Sequence, residues 1–205
     1  MLKYQLLLSL WGAVMIKGLG LFFILVLVSN SALAEGWLRK ASKMDADAGH
    51  PMNGVGKMYY KNGTLKAEVN FINGKEDGPA KYYYENGKLK VNKTFKNGEG
   101  VGIQQQYYEK GSLAYEITYT GVEGGAACKE YYEKGSLKAE YTFRKKKLDG
   151  VFKIYYEDGR LLSETIYKNG KKDGLSRLYG KKGKQLNEKY YSEGVEVDRS
   201  MGVTK

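Results

Sequence analysis

The chain has 205 residues, 42% hydrophobic and 28% charged, with a formal net charge of +11, one cysteine and one histidine. That balance suits a folded globular unit and excludes a disordered polar chain. A single cysteine excludes an internal disulfide framework, and one histidine leaves little material for acid–base or nucleophilic catalysis. Glycine at 27 and tyrosine at 19, against proline at 2, point to short strands joined by tight turns.

Residues 1–34 carry only two charges, Lys3 and Lys17, and an apolar run from Leu19 to Val28 broken by Gly20 alone. "SNSALAE" follows, with Ala32 and Ala34 at the small-residue positions before a cut. The pattern is that of a secretory signal peptide, an apolar helix cleaved at Ala34/Glu35. From Met15 onward the segment is a compact signal peptide by itself, so Met15 is an alternative start. A competing reading is an uncleaved membrane anchor, because Tyr4 to Val28 is long enough to span a bilayer. The expected address is extracytoplasmic, periplasmic or secreted, with the anchored form as its alternative. Removal of Lys3 and Lys17 leaves +9, a charge that favours anionic surfaces or simply solubility.

Residues 35–53 form a linker or N-terminal cap, with Trp37 as an apolar plug. Asp45, Asp47 and His50 are the only metal-capable group there. Three ligands in a linker without a second cluster are a weak signal, so no metal and no cofactor is expected.

From 54 to 197 a 24-residue period repeats six times without insertion. With Gly54 as position 1, position 6 is always tyrosine, position 7 is tyrosine in five repeats with Gly180 as the exception, and position 10 is always glycine. Position 12 is leucine in five, and position 18 is always aromatic. Positions 2–7 and 12–19 are strand-like; "ENGK" or "EKGS" and "NGKEDG" between them are turn chemistry. The predicted fold class is therefore all-β, an elongated antiparallel meander of six hairpins, with 198–205 as a tail. About 12 strands are expected.

Two hairpin registers compete. A two-residue turn sets position 4 opposite position 15, pairing Lys57 with Glu68, Lys129 with Glu140, Lys153 with Glu164 and Arg177 with Glu188. A three-residue loop with one bulge glycine asks for positive φ at the glycine only, which suits Lys110, Lys134 and Lys182 before it. The bulged form is preferred, and it gathers positions 6, 12 and 18 on one face.

The glutamates of position 15 recur as a ladder too widely spaced for a glycosidase pair, so a solvated column offset by lysines is the expectation. "RKKK" at 144–147 is the one dense basic run. The other lysines alternate with acids in turns, which makes nucleic acid an unlikely partner. Candidate partner-binding residues are the position-7 tyrosines Tyr60, Tyr84, Tyr108, Tyr132 and Tyr156, as an outward aromatic stripe, and Arg144, Lys145, Lys146 and Lys147 for an anionic membrane, envelope surface or acidic partner.

The pattern "G…YYxNGxLKxExxFxNGxxdG" resembles the variant MORN repeat of many bacterial proteins, over all six repeats. Repeats 3 and 4 depart at "TGVEGG" and "RKKKLD", and repeat 6 at Gly180 and Gln185. The resemblance implies a binding or scaffold role, or that of an antitoxin or immunity-type protein of the YwqK kind. The expectation is a non-enzymatic exported module binding a protein or envelope component, with the antitoxin as the alternative.

Overall fold

The computed structural model describes residues 52–121 and 124–198; the signal segment, the linker up to Pro51 and the tail from Arg199 lie outside them. All described strands belong to one antiparallel sheet in chain order. They are β1 (Gly54–Tyr59), β2 (Leu65–Ile72), β3 (Lys75–Tyr83), β4 (Leu89–Lys96), β5 (Glu99–Tyr107), β6 (Leu113–Tyr119), β7 (Ala126–Tyr131), β8 (Leu137–Arg144), β9 (Lys147–Leu148), β10 (Gly150–Tyr155), β11 (Leu161–Lys168), β12 (Lys171–Tyr179), β13 (Gln185–Ser192) and β14 (Val195–Val197). Fourteen replace the expected twelve for two reasons. One strand is split at Asp149 into β9 and β10, and the last turn returns as the short β14.

Each hairpin tip is a three-residue loop with a glycine bulge. In the first, the Tyr60 N–H donates to the Thr64 carbonyl at 2.8 Å and the Gly63 N–H to the Tyr60 carbonyl at 2.9 Å. Gly63 has φ +85, open to glycine at little cost. A second irregularity follows: pairing steps from Tyr59↔Leu65 to Met58↔Ala67, which leaves Lys66 bulged. Beyond it position 4 faces position 15, as in Lys57↔Glu68, Lys129↔Glu140, Lys153↔Glu164 and Arg177↔Glu188. The two registers read as rivals thus occur in series within one hairpin.

That second bulge corrects the expected 6–12–18 stripe. Inserting one residue shifts everything after it to the opposite face. Positions 6 and 12 stay together, while 14, 16 and 18 join positions 3 and 5 on the other side. This second face is the core, holding Ala67, Val69, Phe71, Ala80, Tyr82, Val91, Phe95, Cys128, Ala139, Tyr141 and Ile154 buried. Tyr141 stacks on Phe152 at 4.9 Å and meets Phe143 edge-on at 5.6 Å, so rings from neighbouring strands cover one another.

The turns between repeats stack along one sheet edge. Asn73-Gly74, Asn97-Gly98 and Asn169-Gly170 have positive φ at both residues, the two-residue form that matches strand twist. The Gly74 N–H donates to the Met52 carbonyl at 2.8 Å, Gly98 to Glu76 at 2.7 Å and Gly170 to Leu148 at 2.7 Å. Position 24 of the preceding repeat then caps each turn: the Asn73 N–H donates to Asn53 Oδ1 at 3.0 Å, Asn97 to Asp77 Oδ2 at 3.1 Å and Asn169 to Asp149 Oδ2 at 3.2 Å. Where position 24 is Val101 or Gly125 instead, the next turn is not Asn-Gly.

Candidate functional site

The tip edge and the turn edge hold the two sets of residues that the sequence singles out. At the tip edge the position-7 hydroxyls point along the array. Tyr60 donates to the Tyr83 carbonyl at 2.7 Å, Tyr84 to Tyr107 at 2.7 Å, Tyr108 to Tyr131 at 2.8 Å, Tyr132 to Tyr155 at 2.8 Å and Tyr156 to Tyr179 at 2.9 Å. Each tyrosine therefore fastens its repeat to the next one. Partial burial, then a neighbouring carboxylate, raises the pKa of Tyr60, Tyr84, Tyr108 and Tyr132, so these hydroxyls remain donors. Gly180 stands at position 7 in the sixth repeat, and among the described residues no further hairpin tip follows it. That exception was the signal in the sequence for the role. The rings are half-buried, with Lys66 and Lys90 lying over Tyr60 and Tyr84 at 5.9 and 5.1 Å.

Tyr108→Phe is expected to lower stability by about 1 kcal/mol, the net value of one hydrogen bond, with the Tyr131 carbonyl losing its donor. Urea unfolding reads this directly. An unchanged midpoint would return the hydroxyl to the surface role that the sequence suggests.

At the turn edge, repeat 4 departs from its neighbours in three ways. Lys145 and Lys146 adopt φ +49 and +62, a region costly to residues other than glycine and asparagine. The acid of position 24 is absent, because Gly125 stands there, whereas Asp77 holds Lys96 at 3.2 Å in the second repeat. Among the described residues no ion pair engages Arg144, Lys146 or Lys147. Stacking brings the next turn alongside: a Cβ placed on Gly170 would sit 3.5 Å from the Lys147 Cβ. Lys168 thereby extends the basic run beyond the four residues visible in sequence, whereas Lys171 is held by Glu193 at 3.2 Å.

A polar cluster on the core face gathers around Glu130. Glu130 is 3% exposed and accepts from the Tyr115 hydroxyl and from Tyr141 at 3.0 Å, with the Lys138 ammonium at 3.5 Å. Burial first, then Glu130, drives both phenols far above their ordinary range. Burial likewise pushes the Cys128 thiol up to about 12, which keeps it protonated and poorly nucleophilic. Three glutamates of the position-15 column are held by close ion pairs, Glu140 by Lys153 at 3.4 Å and Glu164 and Glu188 by Arg177 at 3.0 and 2.8 Å, while Glu116 accepts from Gln105 at 3.1 Å. Among the described residues no group of three His, Cys, Asp or Glu side chains is placed to hold a metal ion. Asp45, Asp47 and His50 lie outside those residues.

A hairpin with a Tyr-Tyr strand end, a glycine-bulged tip and an Asn-Gly return, repeated in register, is what the MORN repeat variant model describes. That model matches residues 52–73, 76–97, 101–120, 126–145 and 148–169. The chain belongs to the MORN repeat variant family. No curated protein matches it. The sixth hairpin lies beyond the matched residues, yet it keeps the MORN register, with Tyr179↔Gln185 and Arg177↔Glu188. Its departures from the pattern are Gly180 at position 7 and Gln185 at position 12.

Proposed function

We propose that this chain is a non-enzymatic, exported binding module that docks on an anionic envelope surface through the basic turns of its fourth and fifth repeats. MORN repeats in general mediate protein or membrane-lipid contacts. Support for this site comes from one observation, the Arg144–Lys147 turn. It holds two lysines in a disfavoured backbone region and follows Gly125, where the turn of the second repeat has Asp77 beside Lys96. Flexible lysines around one arginine, without aromatic rings among them, suit a diffuse anionic surface better than nucleic-acid bases. Export rests on the signal-like segment ending at Ala34.

The protein recovered from the extracytoplasmic fraction, beginning at Glu35, is expected to sediment with vesicles containing 30% phosphatidylglycerol and not with neutral ones. Each cation near such a surface contributes about 1 kcal/mol. Arg144→Glu with Lys146→Glu should therefore weaken binding by well over tenfold, and raised salt should do the same. Equal sedimentation of variant and parent, or of both with neutral vesicles, would sink the reading.

A further inference from the structure

The array closes differently on its last strand. β14 pairs with β13 only at Tyr190↔Val197, Tyr191↔Glu196 and Ser192↔Val195. Among the described residues, Gln185 to Lys189 of β13 therefore has a neighbouring strand on the β12 side alone. In the inner junctions the same stretch is covered on both sides, as when Ser163–Thr165 meets Ser176–Leu178. A one-sided strand presents backbone N–H and C=O groups to any extended segment that fits.

Beside this edge apolar side chains face one another at positions 2 and 17, between the charged groups of Glu188, Lys189 and Glu196. Position 17 is Asn or Thr in repeats 1 to 4 but Ile166 and Tyr190 in repeats 5 and 6. The pairings Val151↔Ile166, Leu175↔Tyr190 and Tyr190↔Val197 set these side chains on one face, across β10 to β14. Val151 is 44% exposed and Tyr190 39%. Where β14 stops, Leu175, Tyr190 and Val197 line an open cavity of about 570 Å³, with Glu188 in its wall.

We propose that this edge takes up one extended segment of a partner protein, with the pattern apolar–x–Lys/Arg–x–Tyr. The molecule's own junctions dictate that pattern. At β10 it is Val151, Lys153 and Tyr155, and at β12 Leu175, Arg177 and Tyr179. In each case the basic residue faces the position-15 glutamate of the preceding repeat, Lys153↔Glu140 and Glu164↔Arg177. The tyrosine hydroxyl donates to the same carboxylate, at 2.7 Å to Glu140 and 3.1 Å to Glu164. On β13 the equivalent glutamate is Glu188, and the leading apolar side chain meets Leu175, Tyr190 and Val197.

Two nearer occupants fit less well. β1 of a second copy carries the pattern as Val55, Lys57 and Tyr59. However, Met52 and Asn53 before it are tied to their own first turn, and they would fall where Glu196 and Val197 already sit. Gly180 also offers no hydroxyl to the Tyr59 carbonyl. The chain's own tail places Arg199, Met201 and Val203 at the three pattern positions, without the basic residue or the tyrosine where they are needed.

The probe is a biotinylated peptide copying Gly150–Asp158, titrated with the full chain by biolayer interferometry. Saturable binding is expected, at least tenfold weaker for a peptide carrying Lys153→Glu and for chains carrying Tyr190→Asp or Val197→Asp, both exposed positions whose circular dichroism should not change. Arg144→Glu with Lys146→Glu should leave peptide binding intact, which separates this edge from the basic turn. Absence of binding, or equal binding by the Tyr190 and Val197 variants, overturns the proposal. Binding seen only after removal of residues 199–205 would give the edge to the chain's own tail. A doubled mass by light scattering, with the peptide excluded, would give it to a second copy.

Discussion

Replacing Glu130 with alanine is expected to destabilise the sheet by about 3 kcal/mol, the range seen when one partner of a buried charged group is removed. Glu130 is the common acceptor for Tyr115 and Tyr141 and lies against Lys138. The alanine leaves the buried Tyr141 and the half-buried Tyr115 without their carboxylate and opens a space between β6, β7 and β8. Glu130→Gln keeps one carbonyl acceptor and should lose about half as much. In urea unfolding the midpoint should fall with little change in slope. A loss under 1 kcal/mol would mean that water replaces the carboxylate and that the cluster is not sealed. Neighbour-coupled arrays also concentrate such a loss locally, so amide exchange should rise first in the repeats flanking Glu130.

The same cluster shows where the sequence is legible. The 24-residue period and the strand pair per repeat follow directly from residue spacing, whereas the pairing of Lys57 with Glu68 belongs to the register that the turn argument set second. The assignment of faces does not. It turns on the bulge at position 13, occupied by Lys66, Lys90, Ala114, Lys138, Leu162 and Leu186. A bulge whose backbone stays at negative φ accepts any side chain, so it leaves no mark in composition. The tip bulge does leave one, because positive φ there demands Gly63 and its equivalents. Core positions consequently read as polar: Lys93, Gln104 and Glu130 are buried on the face with Val69 and Tyr141. Lys93 survives there with its ammonium 4.1 Å from the Phe95 ring centre and 5.0 Å from that of Tyr82.

The candidate site was legible in a different proportion. Arg144 to Lys147 stand out as a charge run, but the absent acid at Gly125 gains meaning only when Asp77 is seen holding Lys96 and capping Asn97. The tyrosines of position 7 and those of position 6 look alike in sequence. Three-dimensional register separates them: Tyr155 and Tyr179 donate to glutamates of the preceding repeat, and Tyr132 and Tyr156 to carbonyls of the following one. Both proposed partner surfaces lie where the repeat rule lapses, at the turn of repeat 4 and at the last strand.

Gly150→Ala is expected to cost about 3 kcal/mol, and Ala126→Gly, at the same position of the repeat, under about 1. Gly150 has φ +110, and a Cβ there would lie 2.7 Å from Thr142 Oγ1, whose hydroxyl donates to the Asp149 carbonyl. Gly78, Gly150 and Gly174 each follow a two-residue turn with positive φ at both centres, after which the strand swings out; at the β2–β3 junction Asn70 faces the stretch Asp77–Pro79. At Ala126 that need disappears. β6 and β7 pair without a shift from Tyr115↔Glu130 to Tyr119↔Ala126, and Ala126 is not among the residues with positive φ. The loop closed by the Thr120 N–H on the Gly125 carbonyl at 3.0 Å takes up the slack instead. The loss of glycine at 126 and the longer "TGVEGG" turn are therefore one structural change, not two. Paired urea titrations of the two variants test this: a difference of about 2 kcal/mol or more ties the position-1 glycine to the bulged junction that Ala126 lacks, whereas equal losses would show that it does not depend on the bulge.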